Sequence, residues 1–202
     1  MTRTLDLTIT KGDTFSHVEQ RALEIAPFIY KPITAITKAG PVAITSAAHG
    51  FAAGWRVAVW GVGGMRQLNA LQFPPRSSDF HPATITSSSI VSLNDVDSEL
   101  YTTYTSGGNL VAYTPLSLAG CTARMQIRET AESTTTLASL VSPTDIALDD
   151  TAHTVTITIS ATATAAYTFT QGVYDLEVVV TATGVVTKIL SGNVYVLSEV
   201  TR

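Results

Sequence analysis

Residues 153–160 (HTVTITIS) and 173–180 (VYDLEVVV) decide the fold class. In the first stretch Val155, Ile157 and Ile159 alternate with Thr154, Thr156, Thr158 and Ser160. In the second, Tyr174, Leu176, Val178 and Val180 share one side, and Asp175 and Glu177 take the other. A side-chain period of two is that of a half-buried strand. The pattern continues outward in both directions. Upstream, CTARMQIRE (121–129) sets Ala123, Met125 and Ile127 against Arg124, Gln126 and Arg128. Downstream, a turn over Thr181 to Gly184 leads to VVTKIL (185–190), Ser191-Gly192-Asn193 breaks that strand, and VYVLSEV (194–200) follows. The Ala-rich ATATAAYTF (161–169) predicts one short helix. Far upstream, TLDLTIT (4–10) repeats the alternation and ends at a Lys11-Gly12-Asp13 turn. VEQRALEI (18–25) fits either one or two helical turns or an irregular strand.

Residues 33–114 carry a second pattern, fenced by Pro32 and Pro115. PVAITSAAHGF (41–51) gives a strand and a turn at His49-Gly50. GWRVAVW (54–60) gives a second, with Trp55, Val57 and Val59 on one face and Arg56, Ala58 and Trp60 on the other. A Gly61–Gly64 loop, two short strands in ATITSSSIVSLN (83–94), a polar loop from Asp95 to Gly108 and a last strand over Asn109 to Tyr113 complete it. Short strands separated by turn residues suggest sandwiches or open barrels. The expected fold is all-β, with two small sandwich- or barrel-like domains, one inserted into the other. The outer domain comprises residues 1–32 plus 115–202, and the inserted module residues 33–114. A module of about 80 residues is large enough to fold alone, though marginally.

Composition narrows the function. Charged residues are only 14% of the 202, against 45% hydrophobic. Thr, Ser and Gly must cover the surface, and such surfaces suit subunit packing because little charge has to be desolvated. A formal net charge of −4 with scattered Lys and Arg gives no basic footprint for nucleic acid. There is no apolar run of membrane-spanning length and no secretory apolar core at the start, so synthesis in a reducing cytoplasm is expected. The single Cys121 has no intrachain disulfide partner and is expected to pack as a small apolar residue.

The chemical motifs are weak. Gly61-Val62-Gly63-Gly64 lacks the Gly-Lys-Ser/Thr and following helix of a phosphate loop. Asn94-Asp95-Val96-Asp97-Ser98-Glu99 offers oxygens at calcium-like spacing but lacks the loop glycine and the distal bidentate Glu. His17, His49, His81 and His153 stand far apart, without i, i+4 pairing. Asp79 and His81 lie near serines, but no nucleophile elbow accompanies them. Asp145, Asp149 and Asp150 read as turn carboxylates. No catalytic residue, metal ligand or cofactor is expected.

The residues also carry a resemblance. Residues 33–113 resemble a small β-module repeated across phage tail proteins. The matching features are ITAITKAGPVAIT (33–45), Ala48-His49-Gly50-Phe51, the Val57 and Val59 strand, Gly61 to Met65, Leu68-Asn69, and Tyr104 to Gly108. One departure is Ala70-Leu71-Gln72-Phe73-Pro74-Pro75, where that module has Gly and a Tyr-rich strand. The outer segments resemble the N-terminal domain of phage baseplate upper proteins or fibre-anchoring tail proteins. They match through Gly12-Asp13-Thr14, the Leu118 to Arg128 strand, Val155 to Ile159, Gly172 to Glu177 and the closing Glu199-Val200-Thr201-Arg202. The resemblance implies a virion structural protein, made in the host cytoplasm and assembled into the tail. Its partners would be other tail, baseplate or fibre proteins, with homo-oligomers and without nucleic acid or membrane.

The alternative from the residues is a carbohydrate-binding module that contacts the host surface, with Trp60 as the best sugar-stacking ring. For partner contact the sequence singles out Trp60 and the proline-stiffened Asn69–Pro82 loop, with Phe73, Arg76 and Phe80, alongside the Asp95–Gly108 loop. Val155 to Ser160 and Val194 to Leu197 are the expected charge-free edges for pairing between subunits.

Overall fold

The structure, a computed structural model, describes residues 3–20 and 28–199. The chain divides into two compact units, Met1–Arg21 with Leu116–Arg202 and Ala22–Pro115. Both are built from strands.

The outer unit begins with β1 (Arg3–Thr4), β2 (Leu7–Thr10) and β3 (Phe15–Gln20). The inner unit holds β4 (Ile29–Pro32), β5 (Ala35–Ile36), β6 (Val42–Thr45), β7 (Arg56–Trp60), β8 (His81–Ser87), β9 (Ile90–Leu93) and β10 (Asn109–Ala112). The outer unit then resumes with β11 (Cys121–Arg128), β12 (Thr136–Val141), β13 (Ile146–Asp149), β14 (Thr154–Ile159), helix α1 (Ala161–Ala165), β15 (Gln171–Val180) and β16 (Val186–Leu197).

Outer-unit strands form two sheets. One runs β1-β16-β15-β11-β12, with β2 also paired to β16, and the other runs β13-β14-β3. Their apolar faces meet in one core, where Ile9, Met125, Ile127, Ile146, Ile157, Leu176 and Leu190 are fully buried. The alternation read from the sequence selects Ile9, Met125, Ile127, Ile157 and Leu176, but not Ile146 or Leu190. Beneath α1, Thr164 is buried. Its hydroxyl accepts from the Gly12 amide at 3.1 Å and donates to the Asp13 carbonyl at 2.8 Å, so the helix holds the N-terminal turn. On β3 the buried Glu19 is paired with Arg3 at 2.9 Å and with His17 at 3.4 Å.

Residues 191–193 differ from expectation. They do not break a strand, since β16 runs through them as one twelve-residue element. Gly192 is there because the N-terminal segment crosses it. A Cβ at Gly192 would lie 2.2 Å from the Leu5 carbonyl oxygen, closer than any real contact. The Leu5 amide donates to Ser191 O at 2.9 Å, and Asp6 Oδ1 accepts from the Asn193 backbone at 2.8 Å and side chain at 3.0 Å. Tyr174, opposite Gly192 in register, donates its hydroxyl to the same Leu5 carbonyl at 2.8 Å. Burial pushes the Tyr174 phenol well above its ordinary range, so it remains a donor. A glycine inside a strand marks such a close backbone approach.

Inner-unit strands form one sheet in the order β4-β10-β7-β8-β9-β6-β5. Its main core gathers Val42, Ile44, Val57, Val59, Met65, Leu93 and Leu110. The proline fence placed Ile29–Pro32 in the outer domain. Instead β4 pairs along its whole length with β10, and Ile29 packs on the inner core. Pro32 ends an edge strand, where proline is tolerated, rather than a domain, so the boundary falls upstream at residue 22.

Two further expectations are corrected. Val155–Ser160 is not an edge, because β14 is flanked by β13 and β3. Val194–Leu197 is flanked by β15 and β2. The sheets end instead at strands that include β12, β13, β3 and β5. Of the ambiguous 18–25 stretch, Val18 to Gln20 belong to strand β3, and the rest lies outside the described residues. The helix expected over 161–169 forms over Ala161–Ala165, with the Ser160 hydroxyl capping the Ala163 amide at 3.3 Å. Among the described residues no helix is long and apolar enough to cross a membrane.

Gly192→Ala is expected to destabilise the outer unit by about 1–3 kcal/mol through overpacking, with the inner unit unchanged. Two-step denaturant unfolding followed by the tryptophans, both in the inner unit, and by far-UV dichroism checks this. Replacing residues 22–115 by a short Gly-Ser linker should leave a cooperatively folded outer unit, since closure cost grows only slowly with loop length. A flat, unfolded dichroism signal from that deletion would contradict the two-unit description.

Candidate functional site

Strand register assembles one aromatic face on the inner unit. Trp60 on β7 lies opposite Asn109 on β10, and Asn109 lies opposite Pro32 on β4. Two residues along, Ala58, Val111 and Tyr30 form the next row. Side chains two apart share a face, so Trp60, Ala58, Val111 and Tyr30 project from the same side. The loop after Leu68 folds over it. Asn69 fixes the start, accepting from the Val62 amide at 2.9 Å and donating to the Val62 carbonyl at 3.1 Å, while the Ala70 amide donates to Val59 O at 2.8 Å. A short 3-10 turn over Ser77–Asp79 fixes the end, its Asp79 carboxylate accepting from the Arg76 amide at 2.7 Å.

The loop places its two phenylalanines in opposite environments. Phe80 is buried, 2% exposed, and packs on Ala58 and Val111 in a small second core with Phe28 and Tyr113. Its ring centroid is 4.7 Å from Tyr113 and 5.8 Å from Phe28. The Arg56 guanidinium donates to its carbonyl. Phe80 is therefore a structural residue and not a partner contact, correcting the expectation. Sheet residue Ala58 leaves a hollow that only a large apolar side chain fills. Phe73 stays outside at 55% exposure, its centroid 5.2 Å from Trp60 and 6.1 Å from Tyr30. Tyr30 is 41% exposed and Leu71 93%. Arg76 is exposed beside the turn. Thus the structure brings Phe73 beside Trp60 and Tyr30, while Leu71 stands exposed in the same loop. The register signal that brings Tyr30 in was hidden while Ile29–Pro32 was assigned to the other domain.

The remaining motifs have structural uses. The Gly61–Gly64 loop is filled from within the unit. Gly63 exchanges backbone bonds with Ser106 and Thr105 at 2.8 and 3.1 Å, and a Cβ on Gly64 would lie 2.1 Å from Thr103 O. His81 pairs with Asp95 at 3.0 Å rather than with Asp79. Asp97 accepts from the Glu99 amide at 2.9 Å. His49 is buried, with one ring nitrogen 2.8 Å from Ser87 O and the other accepting from the Phe51 amide at 3.0 Å. Among the described residues no three His, Cys, Asp or Glu side chains gather as metal ligands. Asp150 accepts from the Leu118 and Ala119 amides and the Ser117 hydroxyl, which hold its carboxyl below the ordinary range. Burial, aided by Asp150, pushes the Cys121 thiol up, which disfavours the reactive thiolate.

Phe80→Ala is expected to cost about 3–5 kcal/mol of inner-unit stability, the range for deleting a buried aromatic ring. Phe73→Ala should stay within about 1 kcal/mol, since half its surface is already in water. Equilibrium urea unfolding separates the two, and equal losses would contradict the assignment. No protein-family model matches this chain, and neither does any curated protein.

Proposed function

We propose that this chain is a structural protein of a tailed-phage virion, joining tail, baseplate or fibre components through protein–protein contacts. The observation that carries the reading is a ledge on the inner-unit sheet, where exposed Phe73 and Tyr30 meet half-buried Trp60, with exposed Leu71 in the same loop as Phe73. Aromatic side chains with a nearby arginine, here Arg76, are the types that anchor protein interfaces. The ledge is pre-ordered by tilted ring contacts and a proline-containing loop, so docking it loses little conformational entropy. The tail-module resemblance of residues 33–113 supplies the partner class. In the outer unit β12, with the sequence TLASLV, is a charge-free edge suited to pairing between copies. In this reading the chain works by contact and not by catalysis, within the virion tail after synthesis in the host cytoplasm.

A sugar-stacking role for Trp60 fits less well. The interplanar angles of 41° and 31° to Phe73 from Trp60 and Tyr30 leave no coplanar platform, and Phe73 occupies one side of the indole.

The joining role is tested by affinity capture of tagged chain with disrupted phage tails. Leu71→Ser with Phe73→Ala should lower tail-protein capture by about ten-fold or more, with an unchanged thermal midpoint. Wild-type capture by the double variant would remove the ledge from the interface.

A further inference from the structure

A cleft of about 700 Å³ lies over β11, β15 and β16, within the size range of small-ligand sites. In a chain with few charges, Arg124, Arg128, Asp175, Glu177 and Lys188 all line it. Partly exposed ion pairs contribute little to stability, so the fold alone does not account for this concentration.

The pairs are arranged by register. Arg124 lies opposite Glu177, and Gln126 opposite Asp175. Arg124 Nε and Nη2 both reach Glu177 Oε2 at 2.8 Å. Lys188 reaches Asp175 Oδ2 at 2.7 Å. Arg128 Nη2 donates to Gln126 Oε1 at 2.8 Å. This leaves specific atoms without a bond among the described residues. The donors are Arg124 Nη1 and Gln126 Nε2, and the acceptors are Glu177 Oε1 and Asp175 Oδ1. Donors and acceptors therefore sit side by side on neighbouring strands, about 4.8 Å apart.

We propose that this cleft binds a neutral oligosaccharide. An anion would meet Asp175 and Glu177, and a cation would meet Arg124 and Lys188. Arg124 and Lys188 are matched by Glu177 and Asp175, and Arg128, held by Gln126 Oε1 and the Ser133 carbonyl, adds one positive charge, so neither sign is strongly selected. A sugar hydroxyl donates and accepts at once, so adjacent hydroxyls match adjacent donor and acceptor atoms. Strand-held side chains already pinned to one another lose little freedom on binding. The site belongs to the outer unit, the aromatic ledge to the inner one, and it does not depend on the joining role.

The test is calorimetric titration of the full chain with neutral trisaccharides of glucose, galactose, rhamnose and N-acetylglucosamine, with tripolyphosphate as an anionic control. At least one trisaccharide should bind saturably, with little change as salt is raised, because no counterions are released. Gln126→Ala and Asp175→Ala should each weaken that binding by about ten-fold, the cost of one hydrogen bond to a charged or amide group, without shifting the thermal midpoint. Failure of all four sugars to saturate the chain overturns the proposal. So does wild-type affinity in both variants, or binding of tripolyphosphate alone.

Discussion

The contact between the Leu5 carbonyl and Gly192 is the constraint on which the outer unit rests. It fixes where the N-terminal segment crosses β16, and therefore the parallel register of β1 and β2 on the two halves of that strand. Leu7 and Ile9 enter the core only in that register, and β3 then reaches β14. The residues that meet are far apart in the chain, by 187 positions between Asp6 and Asn193. Such a closure is entropically tolerable because its cost rises only logarithmically with the length of the excursion. A whole second unit can thus occupy the connection after β3. Hydrogen bonds donated by Tyr174 and Asn193 and accepted by the Ser191 carbonyl satisfy backbone and side-chain groups that the crossing would otherwise leave unpaired.

Much of this was legible in the sequence, and the failures have physical causes. Val155, Ile157, Ile159, Tyr174, Leu176 and Val178 alternate cleanly because one face of each strand is buried and the other wet. Gly192 was misread because a glycine between polar residues looks the same whether the chain turns there or another strand crosses above it. Pro32 was misread because proline ends a strand and a domain with equal ease. Strand β12 is hard to read from sequence because Thr136, Ala138 and Ser139 blur its alternation. Edges cannot be read from one strand at all, since charge-free Thr-rich strands occur in both central and edge positions. Phe73 and Phe80 stand seven residues apart in one loop, and only the hollow over Ala58 separates their fates.

The two units divide the surface chemistry. Large exposed apolar residues of the inner unit are Leu71, Phe73 and Tyr30, with Leu100 in the Asp95–Gly108 loop, and their desolvation favours a protein partner. Charge on the outer unit concentrates over β11 and β15, where Arg124–Glu177 and Lys188–Asp175 pair and Arg128 bonds to neutral acceptors. A chain with so little charge elsewhere can pack closely in an assembly without burying unpaired ions. That combination fits a part that is held by its neighbours, and it requires neither a nucleophile nor a metal.

Cryo-electron microscopy of intact phage tails containing the chain tests the central claim most directly. The account predicts density for both units in the tail, with the Tyr30–Trp60–Phe73 ledge buried against another tail protein. Particles that lack the chain, or in which the ledge faces solvent in every copy, would contradict it.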